Sequence, residues 1–360
     1  MEPTESQIDI LFDRFAEPKQ ILFLSADLVG STALKQKRRK TSSLGCHHPD
    51  TQEWASVIQF FFSGFNDCFD KNWSGREEYL RGFMKEATID SRMGPKPILW
   101  KMIGDELVYR KFVGHRDQVK ETIDIWIKSI QQLYTLFIEK LGNAEISIKC
   151  TAWIGEFPIQ NKILIGSQLS GQPGNLKDSG LARLVALQDF ESKPVGNGLE
   201  IDFIGPAIDI GFRLTKKATP RKFVLSIDTL YLYVLSEVAG EPTDPRQRIR
   251  PVREKQIFFG GAEALPGVLG GLPYPLFWID MSPANASEVL GDNLSGIKAI
   301  KDRKSIVRFC EEFYKEQRCY IDTPYIVTDD YDRGTVLNQK PQWYDEEKKK
   351  LKLDMLGTCD

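Results

Sequence analysis

Apolar residues follow two periodicities along this chain, and each periodicity predicts a different kind of element. A continuous apolar run over 20–29 has the length of a buried strand and ends at Gly30. Further strands are predicted over 98–112, as a hairpin that turns at Gly104-Asp105, and over 145–154 and 222–226. Helical spacing predicts helices over Trp54–Phe69, 117–140, from Pro206 to Arg213, up to Glu237, and over Ser305–Gln317. The buried face of the 117–140 helix is expected to comprise Ile123, Trp126, Ile127, Ile130, Leu133, Tyr134 and Phe137.

Three polar segments separate these elements and predict loops. They are 35–50, 75–97 and 158–196, the last with a short helix expected at Leu181–Gln188. The Lys-rich end of the chain is expected to be disordered. Strands that alternate with helices predict an α/β or α+β sheet that helices cover on one face.

Composition sets limits on location and partners. The 360 residues are 41% hydrophobic and 27% charged, with a net charge of −2, so nothing favours binding to nucleic acid or to an anionic membrane. The polar, acidic residues 1–20 do not resemble a signal peptide, and no apolar stretch is long enough to span a bilayer. The six cysteines form no C-x-x-C pair. These features predict a cytoplasmic protein in a reducing compartment.

Two stretches each place an aspartate beside a glycine at the end of a strand-like run. The first is Phe23-Leu-Ser-Ala-Asp27-Leu-Val-Gly30-Ser-Thr32, and the second is Trp100-Lys101-Met-Ile-Gly104-Asp105-Glu106. Divalent Mg²⁺ and Mn²⁺ ions are commonly held by one or two carboxylates together with substrate phosphates. The pair Asp27 and Asp105 therefore predicts a metal-dependent nucleotide site.

A third stretch runs from Leu199 to Leu214 and predicts a short strand followed by a helix. The strand ends at Gly205, and Pro206 opens the helix, where its missing N–H costs nothing. Asp209 and Arg213 are four residues apart and share a face of that helix. Taken alone, such a pair is an ordinary surface ion pair.

In this order, the three stretches resemble the class III nucleotidyl cyclases, the adenylate and guanylate cyclase catalytic domain. The matching pieces are Asp27-x-x-Gly30-Ser-Thr, Lys101-x-x-Gly104-Asp105 and Asp202-x-x-Gly205-x-x-x-Asp209-x-x-x-Arg213. The resemblance covers roughly 18–282. It implies the α+β (α/β sandwich) class, with a ferredoxin-like βαββαβ core in which helices pack on a mostly antiparallel sheet, and with insertions. It leaves outside the catalytic domain an N-terminal segment, 1–17, and a C-terminal extension, 283–360, which is expected to be helical and partly disordered.

The resemblance implies a role for each matching residue. Two Mn²⁺ or Mg²⁺ ions per site would be held by Asp27, Asp105 and the carbonyl of Leu28. The phosphates would lie against the backbone amides of Val29, Gly30, Ser31 and Thr32. Arg213 would stabilise charge on the α-phosphate. Asp209 departs from the family pattern, which more often has asparagine, so it would either accept from the ribose or pair with Arg213. The family also carries, late in the domain, a lysine that binds the triphosphate. This lysine has no clean match here, and Arg253 and Lys255 are the nearest candidates.

The matching residues do not determine which nucleotide base the site would bind. Lys101 and Asp202 match the donor and acceptor with which the family recognises adenine. Cytosine presents the same acceptor and donor as adenine, at N3 and the exocyclic amine. Uracil presents N3–H and O4, which the same pair could bind after a small rotation. The pair therefore does not distinguish ATP, CTP and UTP. A glutamate at position 101 would favour GTP, which is therefore disfavoured.

The chain resembles the pyrimidine cyclases of bacterial Pycsar antiphage systems in two features. These are its insertions and the run Ile-Gly-Pro-x-Ile-Asp-x-Gly-Phe-Arg-Leu. Those enzymes make cyclic UMP or cyclic CMP for a separate effector protein. The resemblance implies a pyrimidine nucleoside triphosphate, UTP before CTP, and a homodimer with composite active sites. The alternatives are an adenylate cyclase, a non-catalytic nucleotide sensor, and a polymerase-like palm that would not need Lys101 or Asp202.

Overall fold

The computed structural model describes residues 5–36, 38–40, 47–49, 51–141, 146–165, 184, 201–239, 255–281, 286–329 and 337–356. In these ranges the helices are α1 (Glu5–Phe15), α2 (Ser31–Gln36), α3 (Thr51–Arg81), α4 (Glu86–Arg92), α5 (Arg116–Leu141), α6 (Pro206–Leu214), α7 (Ile227–Ala239), α8 (Ala286–Leu294), α9 (Arg303–Glu316) and α10 (Tyr344–Leu356). The strands are β1 (Lys19–Val29), β2 (Arg38–Lys40), β3 (His47–Pro49), β4 (Ile98–Ile103), β5 (Glu106–Val113), β6 (Ser147–Phe157), β7 (Lys162–Ile165), β8 (Ile201–Ile204), β9 (Lys222–Leu225), β10 (Ile257–Ala264) and β11 (Pro273–Asp280).

One seven-stranded sheet runs in the order β10-β11-β9-β6-β1-β5-β4, and every pairing in it is antiparallel except that of β6 with β9. Four of its strands follow one another through helices as β1-α3-β4-β5-α5-β6 and lie side by side as β4-β5-β1-β6. This is the ferredoxin-like βαββαβ arrangement. The predicted fold class, helices on a mostly antiparallel sheet, is confirmed.

Strand β1 is buried on both faces of this sheet, and its side chains alternate between two cores. Leu22, Leu24 and Ala26 face the larger core, which includes buried residues of α3, α5 and α7. Ile21 and Phe23 face a second core, which α1 and α10 cover. Phe23 stacks on Trp153 of β6, with ring centroids 5.6 Å apart. Because β1 is covered on both faces, its sequence is the continuous apolar run described above rather than an alternation of apolar and polar residues.

The β4-β5 hairpin and the long helix α5 match their predictions closely. The turn at Gly104-Asp105 joins the two strands, with Gly104 in the left-handed region at φ 66°. Of the seven apolar residues expected on the buried face of α5, Tyr134 is the exception, because it is exposed.

Segment 75–97 is not the predicted loop. Helix α3 continues to Arg81, and α4 follows directly. The helical pattern was missed because only a few apolar residues here, including Leu80, Ile89 and Met93, are buried against the core. A bidentate pair between Arg76 and Glu121 of α5 adds a polar anchor, with nitrogen–oxygen distances of 2.7 and 2.8 Å.

The other two predicted loops are partly outside the described residues. Within 35–50, β2 and β3 pair as a short antiparallel ribbon rather than a loop. Within 158–196, β7 forms and pairs with β8, which follows this segment. The helix expected at Leu181–Gln188 lies outside the described residues except for Leu184.

Both ends of the chain pack on the second core. The Lys-rich end forms α10 rather than the predicted disordered tail, and Tyr344 at its start is fully buried and donates to the carbonyl of Ala16 at 2.7 Å. Lys348 and Lys352 pair with Asp13 and Asp9 of α1 at 3.0 and 2.9 Å.

The close packing of α6 on β6 generates a stability prediction. A methyl group at Gly211 would overlap the indole ring of Trp153, whereas a methyl group at Gly75 of α3 would meet open space. We expect Gly211→Ala to lower the free energy of unfolding by about 1–3 kcal/mol. Gly75→Ala is the matched control and should raise it by up to about 1 kcal/mol through helix propensity. Urea unfolding measures both changes, and equal stability of the two variants would contradict this packing.

Candidate functional site

The predicted metal aspartate Asp27 lies in a polar row that crosses three strands. The register of the sheet places Asp27 of β1 directly opposite Glu106 of β5 and Lys149 of β6. Directly opposite residues point to the same face of a sheet. Two carboxylates and one ammonium group therefore lie side by side at this end of β1.

Lys149 forms an ion pair with Asp27, with 2.9 Å between Lys149 Nζ and Asp27 Oδ2. Each side chain keeps about a quarter of its surface exposed, 27% for Lys149 and 25% for Asp27. The aspartate is therefore accessible to a ligand, and its charge is balanced by a lysine that the sequence analysis did not single out.

Glu106 is the second residue that the sequence analysis missed. Its Oε1 accepts a hydrogen bond from the Oγ of Ser25, which lies on β1 two residues before Asp27. Burial raises the pKa of the Glu106 carboxyl, and the nearby charges of Asp27 and Asp105 raise it further, against the lowering effect of Ser25 and Lys149. Glu106 directly follows the aspartate of the second motif, but only the strand register reveals that it faces Asp27.

Asp105, the second predicted metal aspartate, lies at the hairpin tip and contacts the loop that follows β1. Its Oδ2 accepts a hydrogen bond from Ser31 Oγ, and its Oδ1 lies 3.5 Å from Lys35 Nζ of α2. Ser31 and Asp105 are 74 positions apart in sequence. The structure thus brings together the Gly30-Ser-Thr motif and the Gly104-Asp105 motif.

The predicted phosphate loop joins β1 to α2. Gly30 takes the left-handed conformation at φ 92°, and its carbonyl accepts from the amide of Leu34 at 3.0 Å. Leu28 is buried, and its side chain belongs to the larger core. Val29 ends β1, while Ser31 and Thr32 open α2. The four predicted amides therefore lie at the junction of a strand and a helix N-terminus.

The predicted base-reading pair forms within one chain. Lys101 Nζ lies 2.6 Å from Asp202 Oδ1 and 4.0 Å from the centre of the Trp100 ring. Asp202 Oδ1 also accepts from the amide of Phe203 at 2.9 Å. Trp100 donates from its indole to the carbonyl of Ile201 at 3.1 Å, which fixes β4 against β8. Half of the Asp202 side chain, 52%, remains exposed.

Arg213 and Asp209 form a separate cluster on α6. The guanidinium donates to the Asp209 carboxylate at 3.2 Å, to the carbonyl of Asp209 at 2.9 Å and to the carbonyl of Pro266. Helix α6 begins after Gly205, whose φ of 137° excludes other residues, and Pro206 occupies the first turn. The pairing of Asp209 with Arg213 is thus one of the two roles that the sequence had left open.

The structure does not join the two halves of the predicted site within one chain. Among the described residues, no hydrogen bond or ion pair links Asp27 or Asp105 to the Lys101–Asp202 or Asp209–Arg213 clusters. Of the two candidate triphosphate cations, Arg253 lies outside the described residues. The charged groups that act on Lys255 are Asp124 and Lys120 of α5, rather than the aspartates of the metal motif.

The donor set around Asp27 and Asp105 fits a divalent cation that arrives with a nucleotide. Within the described ranges, no group of three His, Cys, Asp or Glu side chains is positioned to hold a metal unaided. Two partly exposed carboxylates plus substrate phosphates make a sufficient set for Mg²⁺ or Mn²⁺. Asp27, Asp105 and the Leu28 carbonyl would hold the ions.

Comparisons with known proteins identify similar folds. No model of a known protein family matches the chain, and no curated protein matches it. The adenylyl cyclase CyaB from P. aeruginosa is similar over 75% of this chain and 97% of that chain, at 10% identity and a TM-score of 0.43. The guanylyl cyclase Cya2 is similar over 75% and 95%, at 11% identity and a TM-score of 0.41. The guanylate cyclase domain of RhGC from Catenaria anguillulae, solved with GTP, is similar over 73% and 97%, at 10% identity and a TM-score of 0.37.

At these values the similarity concerns the arrangement of helices and strands, so the functional argument rests on the side chains of this chain. In the described part of the chain, no helix has the length and apolar character required to cross a membrane.

The buried Glu106 generates a pH prediction. Because burial raises its pKa in the folded protein, the folded state binds this proton more tightly than the unfolded state does. This contribution to stability is therefore lost as the pH rises from the unfolded-state pKa through the folded-state pKa. Glu106→Gln keeps an acceptor for Ser25 and removes the charge that faces Asp27. We expect the variant to be more stable than the wild type at pH 7 by a few tenths of a kcal/mol, with no advantage at pH 4.

Urea unfolding at both pH values measures this difference. The matched control is Glu263→Gln, which removes an exposed carboxylate that pairs with Lys217 on the surface. A variant Glu106→Gln with the same advantage at pH 4 as at pH 7 would contradict the raised pKa.

Proposed function

We propose that this chain is a divalent-metal-dependent nucleotidyl cyclase that converts a nucleoside triphosphate to a 3′,5′-cyclic monophosphate and pyrophosphate. The observation that carries the proposal is the contact between Ser31 and Asp105. It unites the phosphate-loop motif and the second aspartate at the end of β1, beside Asp27. A glycine loop, a helix N-terminus and two accessible carboxylates together suit a triphosphate with its metal ions.

The reaction requires positioning and charge neutralisation. The ribose 3′ oxygen forms a bond to the α-phosphorus, and the bond from that phosphorus to the bridging oxygen of the pyrophosphate breaks. The 3′ hydroxyl proton passes to solvent water, and the leaving pyrophosphate carries away the electron pair of the broken bond. No covalent intermediate with the protein is needed, so the side chains act by orientation and electrostatics.

Each side chain has a role that follows from its position. Asp27 and Asp105 would hold the metal ions, which when bound lower the pKa of the attacking hydroxyl and neutralise the leaving group. The amides from Val29 to Thr32 would bind the phosphates. Lys149 and Lys35 lie against the two aspartates and supply positive charge near those phosphates, which the late lysine of the family would otherwise provide.

Arg213 would stabilise the charge that develops on the α-phosphate. Asp209 and the carbonyl of Pro266 hold its guanidinium group, so Asp209 acts here as a positioning residue. The side chain of Asp209 is 66% exposed, which leaves it accessible to the ribose as well.

The separation of the two clusters supports a homodimer with composite sites. The metal aspartates of one chain would face the base-reading and arginine residues of the other, and two-fold symmetry would create two equal sites. Because Lys101 and Asp105 are close on one hairpin, a single hairpin would serve both sites. This arrangement accounts for the absence of contacts between the two clusters within one described chain.

The first prediction from this proposal concerns the metal ligands. We expect Asp27→Asn or Asp105→Asn to reduce cyclic nucleotide formation at least a thousandfold, because each removes a ligand that contributes several kcal/mol to transition-state stabilisation. Alanine at either position should act in the same way. Turnover with Mn²⁺, quantified by mass spectrometry, measures the loss.

The matched control for these variants is Asp70→Asn on α3, which removes an exposed carboxylate paired with Lys96. It should retain wild-type turnover. Activity near the wild-type level in either metal-site variant would refute the metal assignment.

The second prediction tests the composite sites. Asp105→Ala and Arg213→Ala should each be inactive alone. In a mixed dimer, one interface contains both substitutions and the other contains neither. With random exchange about half of the dimers are mixed, so the mixture should regain roughly a quarter of wild-type activity. No recovery after subunit exchange has been demonstrated would favour sites within one chain.

For the base, we propose a pyrimidine, with UTP preferred over CTP. The proposal rests on the subgroup resemblance of the sequence, while the Lys101–Asp202 pair is compatible with adenine as well. An adenylate cyclase is thus the second candidate, and the observation that favours it is this donor and acceptor pair at 2.6 Å. In either case Trp100 lies beside the pair, with the Lys101 ammonium over its ring.

The third prediction separates these two candidates. At equal concentrations of the four nucleoside triphosphates, we expect the cyclic pyrimidine product to exceed cyclic AMP. Steric exclusion can reject a purine strongly, whereas the wrong pyrimidine is rejected only by unpaired polar groups. Asp202→Ala should therefore reduce the discrimination between UTP and CTP more than the discrimination against ATP. Cyclic AMP as the main product would replace the pyrimidine proposal with the adenylate cyclase.

We further propose that the product is a second messenger in antiphage defence, made in the cytoplasm and bound by a separate effector protein. This role follows from the same subgroup resemblance and does not require nucleic acid or a membrane. A purely nucleotide-sensing protein is disfavoured because Asp27, Asp105 and Arg213 are all present.

A further inference from the structure

Each of the two aspartates proposed to bind metal has a lysine of the same chain as its counter-ion. Lys149 Nζ of β6 lies 2.9 Å from Asp27 Oδ2, and Lys35 Nζ of α2 lies 3.5 Å from Asp105 Oδ1. Two negative charges therefore face two positive charges at this end of β1. The chain itself balances the charge of the two aspartates.

The position of Lys149 is set by the sheet. The register of β1 with β6 places Lys149 directly opposite Asp27, so the two side chains lie on one face of the sheet. The Cβ atoms of directly opposite residues in an antiparallel pair are about 4.5–5.5 Å apart. Neither residue can move away without unpairing two central strands, so Lys149 always stays within reach of Asp27.

Lys35 reaches Asp105 from helix α2. Ser31 and Lys35 are four residues apart on that helix and share a face. Ser31 Oγ donates to Asp105 Oδ2, while Lys35 lies against the other oxygen of the same carboxylate. Ser31 is only 3% exposed, so this contact anchors the helix beside the hairpin tip. The helix whose first amides are proposed to bind phosphate thereby also holds a lysine next to Asp105.

A metal ion and these ammonium groups would compete for the same carboxylates. Mg²⁺ takes its ligand oxygens at about 2.0–2.1 Å, so an ion on Asp27 would lie within a few ångströms of the Lys149 ammonium group. Like charges at such a distance repel each other strongly unless water screens them. The side chains of the two ion pairs are between 20% and 34% exposed, so the screening is incomplete.

A triphosphate offers the two lysines other partners. Its oxygens are negatively charged, and the loop proposed to bind them, Val29 to Thr32, follows Asp27 closely and opens α2. An ammonium group is a compact charge on a flexible stem, so each lysine can exchange a carboxylate for a phosphate without a change in the backbone. The carboxylates released in this way become available to metal ions.

We propose that Lys149 and Lys35 act as internal counter-ions that keep the metal affinity of Asp27 and Asp105 low until a triphosphate is bound. The inference rests on the proposed function, because it takes these aspartates as the metal ligands. It makes the binding of metal and of triphosphate cooperative, and such a coupling is reciprocal. The site would then acquire its metal ions together with the nucleotide rather than before it.

The binding of Mn²⁺ to the full chain without nucleotide tests the first half of the proposal. The signal of free Mn²⁺ in electron paramagnetic resonance gives the affinity, and Lys149→Met removes the charge while it keeps a long, unbranched side chain. We expect Lys149→Met to bind Mn²⁺ about tenfold more tightly than the wild type, because Asp27 loses its internal counter-ion. Lys35→Met should act in the same direction, with a smaller gain because its ion pair is longer.

The binding of inorganic tripolyphosphate in the presence of EDTA tests the second half. Isothermal titration calorimetry gives this affinity without any metal. We expect Lys149→Met to bind tripolyphosphate about tenfold more weakly than the wild type, because a charged hydrogen-bond donor for the phosphate is lost. A lysine that only supports the fold would change both affinities in one direction or change neither. Opposite changes are therefore the signature of the exchange.

The matched control is Lys96→Met, which removes a surface lysine paired with Asp70 at 2.7 Å and should leave both affinities unchanged. Thermal melting confirms that each variant is folded. Asp27→Asn should abolish the Mn²⁺ binding that Lys149→Met strengthens. If the binding of Mn²⁺ does not depend on Asp27, the metal assignment of the proposed function is refuted, and this inference with it.

The inference alone is overturned if Mn²⁺ binding requires Asp27 but is no tighter in Lys149→Met than in the wild type. It is equally overturned if Lys149→Met binds tripolyphosphate as tightly as the wild type does. Neither measurement depends on turnover, so failure of this inference is distinguishable from failure of the proposed function.

Discussion

The register of β1 between β5 and β6 determines where every polar group of the candidate site lies. It places Asp27 between Glu106 and Lys149, and it brings the loop after β1 to the hairpin tip that carries Asp105. A shift by one residue would turn Asp27 into the larger core and Leu28 outward. The burial of β1 on both faces prevents such a shift, because Phe23 and Leu24 each occupy a different core. Hydrophobic packing thereby fixes the electrostatics of the site.

Sequence reasoning identified the elements with strong periodicity and the motifs that they carry. It missed Glu106 and Lys149 as neighbours of Asp27, because strand register across a 26-residue helix cannot be read from one sequence. It also missed α4 and α10. Only one residue of α4, Ile89, is buried, and α10 has a charged surface with few buried residues, so neither shows a clear apolar face. In both helices tertiary contacts outweigh the local pattern.

The two ends of the chain add a layer that the catalytic motifs did not predict. Helices α1 and α10 cover the second core, and the segment 318–325 closes a polar cavity against β6 and α6. That cavity shares the first turn of α6 with the helix that carries Asp209 and Arg213. The C-terminal segment 318–325 and the helix that carries Asp209 and Arg213 thus line the same cavity.

The most direct test of the account is the identity of the product formed by the purified chain. The protein is incubated with Mn²⁺ and each of the four nucleoside triphosphates in turn, and the products are identified by mass spectrometry alongside an assay for pyrophosphate. The account predicts a 3′,5′-cyclic mononucleotide and an equal amount of pyrophosphate from at least one substrate. A linear dinucleotide, a nucleoside diphosphate with free phosphate, or nucleotide binding without turnover would contradict it.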